Sequence, residues 1–201
     1  MGIEFDDVGA LAGHSHTESD ISDLAHEPAN LSAIGTVTIT GAAQGDILHR
    51  NGTEFVNLAK GTDGQVLRST STDVAWEDDV DAIEILIDGG GSAITTGVKG
   101  FIEVPYACTI TRVTALAEVS GSIVVDIWKC AYADYDISTH PVNGDSITAS
   151  APVTISSAVK AQDSTLTGWT KTLAAGDVLA YNVDSCTTIT RLTVSLLVKR
   201  T

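Results

Sequence analysis

Between Gly45 and Glu77 the chain reads GDILHRNGTEFVNLAKGTDGQVLRSTSTDVAWE, two hairpin-like units in succession joined by Gly61-Thr62-Asp63-Gly64. In the first, the apolar run at Ile47 and Leu48 meets Asn51-Gly52 and resumes at Phe55, Val56 and Leu58. Asn-Gly between apolar β-formers is a strong short-range hairpin signal, because both turn residues tolerate positive φ. In the second, Val66 and Leu67 lead through Ser69-Thr70-Ser71-Thr72-Asp73 to Val74, Ala75 and Trp76. Isolated two-stranded hairpins are marginal in water, so these units need a partner surface. Another copy of the same chain is the nearest one. This feature points away from an enzyme and toward an assembled fibre.

The rest of the chain divides around that segment. The 201 residues carry a formal net charge of −15, which argues against nucleic acid as a partner, since affinity for phosphate backbones comes from Lys and Arg. The charge is uneven. No Lys or Arg precedes Arg50, whereas Glu4, Asp6, Asp7, Glu18, Asp20, Asp23, Glu27 and Asp46 do. Residues 83–201 are closer to balance, with 11 acids against 8 bases. The first residues lack the basic and apolar regions of a secretory signal, and no run reaches the ~18 apolar residues of a spanning helix, so no membrane insertion is expected. Cys108, Cys130 and Cys186 have no metal-ligand spacing and read as small buried hydrophobes from a reducing cytoplasm.

Three regions follow from this pattern. Residues 1–44 form an N-terminal stem in which Thr17 caps a short acidic helix carrying Ile21, Leu24 and Ala25 on one side, and residues 36–40 alternate as a strand. Residues 45–82 are a β-hairpin neck, closed by the acidic run Glu77–Asp81, read as a linker. Residues 83–201 are β throughout. Ile83, Ile85 and Ile87 alternate with polar neighbours; Ile123, Val125 and Ile127 share one strand face, with Asp126 and Trp128 on the other. Leu192, Val194, Leu196 and Val198 point one way and Arg191, Thr193, Ser195 and Lys199 the other, the pattern of a half-buried strand. Further strands are expected around 101–104, 110–119, 147–149, 153–155, 166–173 and 178–183. Punctuation by Gly, Asp, Asn and Ser at short intervals gives an all-β fold, a C-terminal β-sandwich of jelly-roll type.

Two constellations carry candidate chemistry. His14 and His16 project to one side of an extended segment. One chain offers too few imidazoles for a closed site, but three around an axis would suit octahedral coordination of a transition metal; a polar turn is the alternative. The second is the run from Trp128 to Pro141, where Trp128, Tyr132, Asp134, Tyr135, Asp136 and His140 gather aromatic rings and carboxylates in a chain that is only 5% aromatic. Stacking surfaces beside acceptors are what a sugar needs; the alternative is packing at a subunit interface. Trp169 and Tyr181 read as core residues, each with a weaker claim to recognition. There is no G-x-S-x-G elbow, no H-E-x-x-H and no phosphate loop, and no catalytic residue is assigned.

The pattern G-D-I-L-x-x-N-G-T-x-F-V-x-L-x-x-G-T-D-G-Q-V-L at Gly45–Leu67, closing with Val74-Ala75-Trp76, resembles a module of bacteriophage fibre and virion-appendage proteins. Gly13-His14-Ser15-His16-Thr17 with Asp20–Leu24 is similar to an element near the N-termini of phage fibres. Ile87–Ile94, Val124–Lys129 and Leu166–Trp169 resemble a β-rich terminal domain of phage tail or head fibres. The resemblance implies a homotrimer assembled in the bacterial cytoplasm and resident in the virion. Its N-terminal segment would be held by other virion proteins, and its distal β domain would touch host-surface glycan or protein. It implies metal at His14 and His16 on the trimer axis and no other cofactor. Head-decorating or connector proteins are the structural alternative, and a polysaccharide-degrading enzyme the remote one.

Overall fold

The computed structural model describes residues 41–52 and 55–201. The stem readings, including His14, His16, the helix begun by Thr17 and the strand at 36–40, fall outside the described residues. Both expected hairpins form. Strand β1 (Ile47–Arg50) pairs antiparallel with β2 (Phe55–Leu58), Arg50 facing Phe55, and Gly52 supplies the positive φ of +105° that the turn requires. Strand β3 (Gln65–Ser69) pairs with β4 (Val74–Asp78), Leu67 facing Trp76. Their turn is closed by Thr70 N donating to Asp73 O (2.7 Å) and Asp73 N donating to Thr70 Oγ1 (2.9 Å). Trp76 lies flat against Gly61, where a Cβ would stand 2.7 Å from the indole, and its Nε1 donates to Ala59 O (2.7 Å). The second hairpin is thereby pinned to the end of the first. No described residue of β1 to β4 is buried.

All the remaining strands belong to one curled antiparallel sheet of order β5 (Val80–Asp88), β11 (Arg191–Arg200), β7 (Cys108–Ala131), β10 (Asp177–Thr187), β6 (Gly97–Glu103), with β8 (Val153–Asp163) and the short β9 (Thr172–Leu173) also on β7. The 24-residue β7 serves twice. Its first half pairs with β11 and its second with β10, while β8 runs along both halves, Gln162 opposite Thr114 and Val153 opposite Val125. Register breaks on either side of Gly121 mark where the strand turns a corner. A Cβ there would meet Thr187 O and Thr188 Oγ1, both at 2.4 Å, so only glycine fits. Bent strands of this kind carry a sheet around onto itself. The core therefore draws on both halves at once: Ile110 and Val113 with Ile123 and Ile127, and Leu192 and Leu196 with Leu179 and Tyr181.

Local pattern explains which strands were legible. Leu192, Val194, Leu196 and Val198 are all buried, as their alternation predicts. In β7 the buried set shifts phase, from Cys108 and Ile110 to Val113 and Ala115, because Thr111 is an extra residue opposite the Leu197–Val198 step, a bulge. Strand β10 is buried on both faces from Asp177 to Tyr181. The chain between β7 and β8 covers an edge of the second half of β7, where Ile147 N donates to Ile127 O (2.8 Å) and Thr170 N to Ile147 O (2.8 Å). That coverage replaces the strand expected at 147–149 with a single bridge between Trp128 and Ser146.

Apart from Asp79, the acidic run Glu77–Asp81 is strand where the sequence suggested a linker, and Asp78, Asp79 and Asp81 are answered by Lys199 and Arg200. Lys199 Nζ reaches Asp78 Oδ1 (2.7 Å), Arg200 N donates to Asp79 O (2.9 Å), and Asp79 N donates to Gly64 O (2.8 Å). Gly64, at φ +73°, passes so close to Arg200 O that a Cβ would stand 2.0 Å from it. The Arg200 guanidinium lies over the Tyr106 ring, 3.9 Å from its centroid, and Nη2 donates to Asp81 Oδ2 (2.9 Å). The Ala82 amide above all, then Tyr106 and Arg200, hold the Asp81 carboxyl below its ordinary 3.8.

Two outcomes follow from these contacts. Gly121→Ala should lower stability by about 1–3 kcal/mol in chemical denaturation, through overpacking against backbone. Because the Asp81 shift is downward, its contribution is complete above pH ~4 and disappears as pH falls through the lowered value. The difference in Tm between the protein and Asp81→Asn should therefore be largest at neutral pH and shrink below pH ~4.

Candidate surface recognition site

The run from Trp128 to Pro141 begins in a strand and leaves it. Trp128 sits on the outer face of β7, in one row with Ala180 of β10 and Phe101 of β6. After Ala131 the chain makes a 3-10 turn at Tyr132–Asp134, anchored by Tyr132 N donating to Gly176 O (3.0 Å). It then folds back on its own bonds: Tyr135 N donates to Tyr132 O (3.1 Å), Thr139 N to Asp136 O (3.1 Å) and Thr139 Oγ1 to Asp134 O (2.6 Å). Pro141 is buried at its end.

This folding-back brings three rings together. Phe101 and Tyr135 meet edge to face with centroids 5.2 Å apart; His140 stacks on Phe101 at 6.0 Å and meets Tyr135 at 6.0 Å. The cluster is only partly covered, with Phe101 42% exposed, and on the same loop as Tyr135 stand Tyr132, 70% exposed, and Ile137, 88% exposed. Asp134 and Asp136 are exposed on the same loop, and Asp136 Oδ1 is occupied by the Ile137 amide. Tyr132, Asp134, Tyr135, Asp136 and His140 thus share one exposed loop, and Tyr135 and His140 are joined in one cluster. Phe101 completes that cluster, a residue whose sequence pattern points only to a strand.

Trp128 has a different part. Its Nε1 donates to Asp126 Oδ2 (2.7 Å), and the same buried carboxylate accepts from Ile127 N (2.8 Å), Ser146 Oγ (2.7 Å) and Thr148 Oγ1. Asp126 therefore fastens the returning chain to the sheet beneath the aromatic loop, and the indole N–H is spent on it. Nearby, Lys129 Nζ reaches the buried Asp177 Oδ2 (2.8 Å), which also accepts from Ala174 N (2.8 Å). Burial pushes the thiols of Cys108 and Cys130 upward, keeping them protonated, and all three cysteines are free. Among the described residues no group of three or more His, Cys, Asp or Glu side chains is placed to hold a metal ion. The surface offers apolar ring faces beside acceptors, an arrangement suited to binding.

No family model matches this chain, and no curated protein matches it. Among solved structures, that of the infectious bursal disease virus Gx strain is similar at a TM-score of 0.17 and 12% identity, over 77% of this chain and 50% of the other. The chain spans about half the length of that viral protein.

Asp126→Asn would set an amide N–H against groups that donate. It should cost about 1–3 kcal/mol in denaturant unfolding and speed hydrogen exchange at Ile147 and Thr170.

Proposed function

We propose that this chain is a virion fibre or spike protein that assembles as a homotrimer and attaches particles to a host surface through the exposed loop and Phe101. One observation carries the reading: β1 to β4 hold a regular hairpin register with no buried residue among those described, while Phe55 and Leu67 stand exposed on them. Strands without a core of their own gain one from neighbouring chains. The hairpins are the neck through which three copies associate, with the N-terminal segment held by other virion proteins. Tyr132, Tyr135, Asp134, Asp136, His140 and Phe101 then meet cell-surface glycan in weak contacts that three copies multiply. Catalysis has no part in this role. A transition metal held by His14 and His16 on the axis would brace the stem.

Light scattering on the full-length chain should give the mass of a trimer, and Phe55→Ser with Leu67→Ser should shift it toward monomer. A monomeric mass for the unaltered chain would sink the proposal. Phe101→Ala and Tyr135→Ala should abolish cell adsorption without altering the trimer mass. If both variants adsorb normally, recognition lies elsewhere; binding to purified virion proteins with no adsorption would make the chain a head-decorating or connector protein.

A further inference from the structure

A cavity of about 180 Å³ opens where the curl of the sheet brings the two ends of β8 toward each other. Val113 lines it from the part of β7 before the Gly121 corner, Ala161 from the end of β8 paired with that part, Pro152 from the approach to β8, and Trp169 from the segment that follows. Gln162 and Asp163 stand at its exposed rim. The site shares no residue with the aromatic loop and Phe101.

Its polar groups are fixed in advance. Trp169 Nε1 donates to Ala151 O (2.8 Å), which holds the indole in place. Gln162 Nε2 donates to Thr114 Oγ1 (2.9 Å), leaving the side-chain carbonyl oxygen as an acceptor. Asp163 accepts from Thr165 N (2.8 Å) and Leu166 N (3.2 Å), and each carboxylate oxygen keeps a second lone-pair site. Pockets for drug-sized ligands start at about 300 Å³, so this one has room for a single small ring. We propose that it binds one pyranose unit of a neutral glycan. The apolar ring face lies toward Trp169 and Pro152, and the hydroxyls donate to Gln162 and Asp163. An apolar base with a rim of acceptors fits a ring that is apolar on its faces and rich in donors at its edge.

The test uses the full chain labelled with 5-fluorotryptophan, whose three tryptophans give separate fluorine resonances. It is titrated with the methyl pyranosides of glucose, galactose, mannose and N-acetylglucosamine. The expected result is a saturable shift of the Trp169 resonance with at least one of them, while Trp76 and Trp128 stay in place. Gln162→Ala should weaken that binding about tenfold, the loss of one hydrogen bond to a polar group; it leaves the Asp163 turn intact, and unchanged Trp76 and Trp128 resonances certify its fold. Tyr135→Ala should leave the titration unaltered, which separates this site from the proposed attachment loop. No Trp169 shift with any of the four sugars, equal shifts at all three tryptophans, or full affinity in Gln162→Ala would each overturn the proposal.

Discussion

The corner at Gly121 is the constraint on which the remainder of the body depends. One strand of 24 residues pairs with β11 before it and β10 after it, and the two halves share a core only because the backbone bends there. Thr187 and Thr188 press against the site of the missing side chain, so the bend and the β10–β11 connection are packed as a unit. Both surfaces proposed as binding sites follow from it. The cavity beside Trp169 exists because β8 rounds the same corner. The aromatic loop lies near Phe101 because the second half of β7 ends beside β10, one strand away from β6.

A second dependence ties the hairpins to that body. Arg200 is the penultimate residue, yet its backbone and guanidinium engage Asp79, Asp81, Tyr106 and the close-passing Gly64. The acidic run across the junction of β4 and β5 is thus largely strand and ion-pair partner at once. Exposed pairs of this kind stabilise little individually. Their geometric effect is larger, because they fix where the hairpin segment leaves the sheet. In a trimeric fibre that fixed exit would transmit the neck's orientation to the distal surfaces.

How much was readable depended on whether burial came from one face or two. Alternation in β11 named its inward residues correctly because that strand has one buried face. In the sequence pattern of β7 the segment 110–119 and the Ile123–Ile127 alternation stand as separate strands, since a corner glycine and a turn glycine look alike in one dimension. Tyr181 was legible as core; its burial, which pushes the phenol upward, follows from its place in the continuous apolar run of β10. Asp126 was assigned to the face opposite the Ile123 row, correctly, but that face turned out to be covered too. Phe101 was within reach: Ile102 packs on the core, so its neighbour had to face out.

By itself the sequence determined the all-β character, the two hairpins with their glycines, the inward set of β11 and the loop in which aromatic rings and acids crowd. These are local matters, settled by period and by φ. Tertiary structure alone decided that the loop's rings meet Phe101, that Trp128 serves Asp126, that the acidic run answers Arg200, and that Trp169 borders a cavity. Apart from the Trp128–Asp126 bond, whose place depends on the covering of its face, each joins residues far apart in the chain, and such pairings follow from where strands bend and which faces become covered, a property of the whole sheet.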